Sequence, residues 1–160
     1  MPSILELCHG FARREFAAGD TLLEEGRTSF GLLYILIGGE VEIFKGSFKI
    51  NHVTDSGAVF GEISVLLGIP HMATVRALTP CTAYVVEGAD GFLKSHPEIV
   101  YHLCVLLAQR LHGVTGYLAD LKRQYEDRKD HLSMVDDVLE TLVHQQRSEF
   151  SPGSDRDPDL

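Results

Sequence analysis

Phe60-Gly61-Glu62-Ile63-Ser64-Val65-Leu66-Leu67-Gly68-Ile69-Pro70-His71-Met72-Ala73-Thr74-Val75 is the stretch on which the reading of this chain turns. Backbone N–H groups at the start of a helical turn supply donors and a positive dipole end, and Gly61-Glu62-Ile63-Ser64 offers that arrangement to an anion. Gly61 allows close backbone approach. Taken alone, Gly61-Glu62 reads as a plain turn and Thr74 as a strand-surface residue.

Outward from it, residues Glu15 to Glu87 form short alternating runs punctuated by turn residues. Phe16 to Gly26 holds two brief strands around Gly-Asp and Glu-Gly turns. Leu32 to Ile37 reads as a strand buried on both faces and ended by Gly38-Gly39. Glu40 to Lys45 alternates, with Val41 and Ile43 inward, and Phe48 to Val53 repeats the alternation beyond a turn near Gly46-Ser47. Thr74-Val75-Arg76-Ala77 and Thr82 to Val86 supply two more strands. Turn signals about every ten residues indicate an all-β barrel or sandwich in this region. A short helix is expected within residues 1–13, with Ile4, Leu5 and Cys8 on one face and Gly10 stopping it.

After Glu87 the period becomes helical. Asp90 to Lys94 forms a short piece, and Ser95-His96-Pro97-Glu98 opens a long helix with Pro97 and Glu98 suited to its first turn. Leu107, Leu111, Val114, Leu118, Leu121, Tyr125, Arg128, Leu132, Val135, Leu139 and Leu142 step by four and three, a heptad register whose polar break is Arg128. One helix from Pro97 to Arg147 would be about 75 Å long at 1.5 Å per residue. Such a seam reads either as an amphipathic helix folding back on the β region or, the favoured reading, as a parallel dimeric coiled coil. Gly113 and Gly116 either let two helices approach or mark a hinge. Residues 151–160 have no apolar face and are expected to be disordered.

The stretch 60–75 resembles the phosphate-binding cassette of the cyclic nucleotide-binding domain family (cAMP receptor protein-like), roughly F-G-E-[LI]-[AS]-L-L, a spacer, then P-R-[AS]-A-[TS]-V. Phe16-x-x-Gly19-Asp20, Glu25-Gly26 and Leu33-Tyr34-x-Leu36-x-x-Gly39-x-Val41 also stand at consensus positions, so the match covers roughly residues 11–112. The resemblance implies a mainly β fold with helices: a β-roll (a double-stranded β-helix, or jelly roll) of about eight strands, followed by a long C-terminal dimerisation helix. The expected division is residues 1–95 for the roll with its N-terminal helix, 96–148 for the helix or coiled coil, and 149–160 for the tail.

The resemblance also implies a ligand site. Glu62 would accept from a ribose 2′-hydroxyl, the amides of Ile63 and Ser64 would face the phosphate of cAMP or cGMP, and Ala73 and Thr74 would line the pocket. Thr115 is placed to bond a purine edge, although a helix-surface threonine is its plainer reading. The departure is His71, which stands where the family has an arginine, with the bulkier Met72 after it. Arginine brings a permanent charge and a planar fork, each charged bond worth about 1.5–3 kcal/mol, whereas imidazole is shorter and only partly charged near neutrality. The site therefore either binds a cyclic nucleotide in a pH-dependent way, takes a different nucleotide or an apolar effector, or is empty in a scaffold protein.

Composition narrows the function classes. A formal charge of −9 and pI near 5.3 argue against nucleic acid as a partner. Cys8, Cys81 and Cys104 are scattered and read as reduced cytoplasmic thiols. No signal peptide, apolar membrane span, helix-turn-helix segment, metal-ligand spacing or catalytic motif is found, so no metal and no enzymatic activity are expected and no cofactor is required. The sequence reads as a cytoplasmic regulatory sensor and homodimer, signalling to a partner protein. The competing reading is a ligand-free dimerisation scaffold with the same fold.

Overall fold

The turn residues between positions 13 and 86 cut the chain into eight strands among the described residues. They are β1 (Arg13–Phe16), β2 (Thr21–Leu23), β3 (Leu33–Gly38), β4 (Val41–Lys45), β5 (Phe48–Val53), β6 (Val59–Phe60), β7 (Thr74–Ala77) and β8 (Cys81–Val86). The computed structural model describes residues 2–28, 31–125 and 129–144. Its chain divides into two units, residues 1–103 and 104–160. In the first unit the strands form two antiparallel four-stranded sheets, ordered β1-β8-β3-β6 and β2-β7-β4-β5. Consecutive strands mostly alternate between the sheets, so each sheet turns one face toward the other and the chain wraps as a β-roll.

Phe16, Leu23, Tyr34, Leu36, Val41 and Val75 belong to the buried cluster, with Ile43 and Val53 packed against it. The apolar run in β3 is buried on both faces, as its composition requires. Tyr34 and Leu36 enter the cluster, while Leu33 and Ile35 point the other way and pair across the sheet with Val86 and Tyr84. Phe11 sits edge-on to both Tyr84 and Phe92, at 6.4 and 5.2 Å between ring centroids.

Five helices complete the described residues: α1 (Ile4–Leu7), α2 (Glu62–Leu67), α3 (Ala89–Ser95), α4 (Pro97–Gln124) and α5 (Lys129–His144). At α1, Ser3 accepts from the Glu6 N–H, and the Glu6 carboxylate accepts from the Ser3 N–H. This helix is a single turn inside the expected residues 1–13, with Ile4 buried on it and Cys8 buried just after.

The one long helix expected from Pro97 to Arg147 is instead two. α4 passes Gly113 and Gly116 unbroken, and a Cβ at either position would meet open space. It stops at Gln124, and α5 starts at Lys129. Lys122 Nζ forms an ion pair with Asp136. Those residues would stand about 21 Å apart along a straight helix, so the chain must turn back between α4 and α5. Half-buried residues recur at helical spacing on both segments, Leu118 and Leu121 on α4 and Val135 and Leu139 on α5. Arg128, the polar break in the heptads, and the expected tail at 149–160 lie outside the described residues.

Candidate ligand-binding site

Gly61 fixes the entry to α2. Its φ of 93° lies in the left-handed region, and a Cβ there would meet the Leu32 carbonyl oxygen at 2.5 Å. Only glycine allows both the dihedral and the approach. The helix that follows has six residues and closes at Gly68, whose N–H donates to the Ser64 carbonyl at 2.9 Å. Its first residue, Glu62, is 4% exposed. Its outer residues Leu66 and Leu67 are exposed.

His71 is 5% exposed and held by its backbone on both sides. Its N–H donates to the Arg27 carbonyl at 3.0 Å, and its carbonyl accepts from the Gly26 N–H at 2.9 Å. The ring is directed back to the cassette helix, with Nδ1 and Ser64 Oγ 3.0 Å apart. Burial pushes the imidazole pKa below its ordinary 6.5, because taking a charge out of water disfavours the protonated form. The imidazole, expected to be only partly charged near neutrality, is pushed further toward its neutral form by this burial.

Neighbouring segments brace this turn. Thr74 Oγ1 accepts from the Glu25 N–H at 3.1 Å. The Glu25 carboxylate accepts from the Gly46 N–H at 2.7 Å and pairs with Lys45 at 2.9 Å, and these contacts hold its pKa below the ordinary value. Lys45 Nζ also donates to the Met72 carbonyl at 2.6 Å. The Met72 side chain is 51% exposed, so the extra bulk goes largely to solvent.

Of the expected site residues, Gly61, Glu62, Ile63, Ser64, His71, Met72, Ala73 and Thr74 fall in the first unit, and Ser64 and His71 are in direct contact. Ile63 and Ala73 are half-buried. Thr115 belongs to the second unit, and its hydroxyl donates to the Leu111 carbonyl of its own helix at 2.8 Å, which matches its plainer reading. A cavity of about 550 Å³ adjoins α2, lined by Thr28, Ser64, Val65, Leu67, Ile69 and Asp90 among others. Ser64 alone among the expected site residues lines it.

Sequence reasoning missed Leu32, Arg27 and Lys45 as the backbone and side-chain supports of the cassette. The Glu25-Gly26 turn signal was visible, but its pairing with position 71 depends on how the strands fold together. Among the described residues no group of three or more His, Cys, Asp or Glu could hold a metal ion. No described helix is long and apolar enough to cross a membrane.

Comparison with known proteins places this geometry. The cyclic nucleotide-binding domain profile matches residues 13–93, just over half of the chain. A CRP-like cAMP-activated global transcriptional regulator of Mycobacterium tuberculosis is 28% identical over 113 residues, covering 67% of this chain and 50% of the regulator. An uncharacterised ABC transporter ATP-binding protein of that organism is 40% identical over 76 residues, covering 44% of this chain and 23% of its own length. The chain thus spans half or less of these curated relatives. Among solved structures, the Thermus thermophilus catabolite activator protein aligns with a TM-score of 0.58 at 24% identity, covering 76% of this chain and 62% of that one. The N-terminal domain of a Streptomyces coelicolor transcriptional regulator aligns with a TM-score of 0.52 at 28% identity, covering 69% of this chain and 83% of that one. With the β-roll in place and the profile matched across it, this chain belongs to the cyclic nucleotide-binding domain family.

Proposed function

We propose that this chain is a regulatory sensor: a nucleotide-class ligand occupies the cassette, and the helical segment transmits its presence to a partner protein. The observation that carries the reading is the buried Glu62, set at the start of α2 by a glycine that no other residue can replace without strain. The cassette resemblance gives a carboxylate at this position the role of accepting from a ribose hydroxyl, which a carboxylate oxygen can do. The relatives support the class, since the mycobacterial regulator is described as cAMP-activated. Ligand binding would act by favouring one of two packings, which requires different contacts in each.

The helical segment is proposed to make a homodimer through α4. Leu111 and Val114, both at seam positions, are 45% and 51% exposed in the single chain. Light scattering of the purified chain is expected to give twice the monomer mass, and Leu111→Glu with Val114→Glu is expected to return it to one. A wild-type monomer at all concentrations refutes the dimer.

A thermal-shift panel of cAMP, cGMP, AMP, cyclic dinucleotides and the parent nucleosides tests the sensor reading, because a ligand that binds only the folded state raises its melting temperature. Stabilisation by at least one ribose-bearing compound, lost in Glu62→Gln, is the expected result. Silence across the panel would favour the scaffold reading.

A further inference from the structure

We propose that Lys45 latches the return limb of the cassette, residues 68–73: its ammonium, steadied by Glu25, holds the Met72 carbonyl, and screening or removing that charge frees the limb while the roll stays folded. The latch would give the sensor proposed above a movable part. It is read without ligand, so the two readings fail separately.

The limb runs between α2, which ends at Leu67, and β7, which begins at Thr74. Lying outside both elements, it is held by bonds to other segments. Two are neutral and join backbones: the His71 N–H donates to the Arg27 carbonyl at 3.0 Å, and the Gly26 N–H donates to the His71 carbonyl at 2.9 Å. A third joins the side chains of Ser64 and His71, 3.0 Å apart. The fourth carries a charge, from Lys45 Nζ to the Met72 carbonyl at 2.6 Å. Salt screens an exposed charge and leaves neutral backbone bonds largely alone, and the Lys45 side chain is 57% exposed. The limb is therefore tied down at a point that solvent ions reach.

Glu25 makes that tie directional. A lysine stem is flexible, and the ammonium on it would not hold one position unaided. The Glu25 carboxylate lies 2.9 Å from Lys45 Nζ through Oε1, while Oε2 accepts from the Gly46 N–H at 2.7 Å. The Glu25 N–H also donates to Thr74 Oγ1 at 3.1 Å, just past the far end of the limb. One residue thus couples the end of β4 to the start of β7. The neighbouring charges have contacts of their own: Arg27 pairs with Glu24 at 2.7 Å, Lys49 pairs with Glu42 at 3.0 Å, and Arg76 lies over the Phe44 ring at 5.1 Å. An exposed ion pair contributes little to overall stability, so its loss should register locally and not in the fold as a whole.

The test is amide hydrogen exchange of the full chain, followed by NMR at low salt and at about 0.5 M salt. Gly26 and His71 report the limb, and Leu36, whose N–H donates to the Ala58 carbonyl at 2.8 Å, reports the roll. In the wild type, salt is expected to speed exchange at Gly26 and His71 relative to Leu36. Lys45→Met is expected to exchange there about threefold faster or more at low salt, with the salt dependence gone. Lys45→Arg should restore both features. Glu25→Gln should reproduce the Lys45→Met change and add nothing to it in the double variant. Unchanged rates in Lys45→Met, a salt dependence that survives in it, or equal acceleration at Leu36 overturns the latch. A Lys45→Arg variant as fast as Lys45→Met overturns charge as its basis.

Discussion

Gly61→Ala is the substitution whose effect the structure specifies most closely. Two costs add. A residue with a side chain at φ 93° is strained by about 1–2 kcal/mol. Its Cβ would also sit 2.5 Å from the Leu32 carbonyl oxygen, a backbone atom that cannot rotate away as a flexible side chain would. A total near ~3 kcal/mol is expected, within the range of strain at special backbone positions. For a unit of about 100 residues, 1 kcal/mol moves the melting temperature by roughly 4–8 °C, so a drop of roughly 12–24 °C follows.

Gly68→Ala provides the control at the other end of α2. Gly68 has φ 66°, and a Cβ there would meet nothing within 4 Å. Strain alone applies, about 1 kcal/mol. Calorimetric melting of both variants, with urea unfolding to check the free energies, separates the two costs. Equal losses in the two variants would refute the argument, because they would mean that the contact with Leu32 is not a constraint.

Two further predictions concern titration and reactivity. The unfolded chain protonates His71 near pH 6.5 and the folded chain only below that, so the stability tied to the neutral ring is complete above pH 6.5 and is lost as pH falls through the folded value. The stability gap between wild type and His71→Gln should therefore narrow from pH 7 to pH 5 in urea titrations; parallel curves would remove the buried-imidazole account. Among the three cysteines, burial raises the Cys8 pKa to about 11 and lifts that of Cys81, while Cys104 is exposed. A thiol reagent at pH 8 should modify Cys104 first and the other two only on unfolding, as mass spectrometry of the labelled peptides would reveal; early labelling of Cys8 would contradict its packing.

The β-roll was largely legible in the sequence because its signals are local. Gly38-Gly39 ends a run of apolar residues, Val41 and Ile43 alternate with polar neighbours, and Gly61 and Gly68 bracket α2. Each depends on backbone dihedrals and side-chain alternation that neighbours in the chain decide. The candidate cassette residues could be proposed for the same reason, since Gly61 to Thr74 form one continuous segment. The helical half was read less well. Its heptads are compatible with an extended helix or with a reversal, and the Lys122–Asp136 pair that distinguishes them joins residues on separate helices.

The chain's linear order was enough to specify a roll, a cassette within it and a histidine in place of an arginine. What that histidine does was decided only by folding. Its burial, its backbone bonds to Gly26 and Arg27, and its contact with Ser64 arise where separate segments converge. Desolvation and pairing depend on everything that surrounds a group in space, so the protonation state of His71 and the engagement of Lys45 and Arg27 could not be read from their positions along the chain.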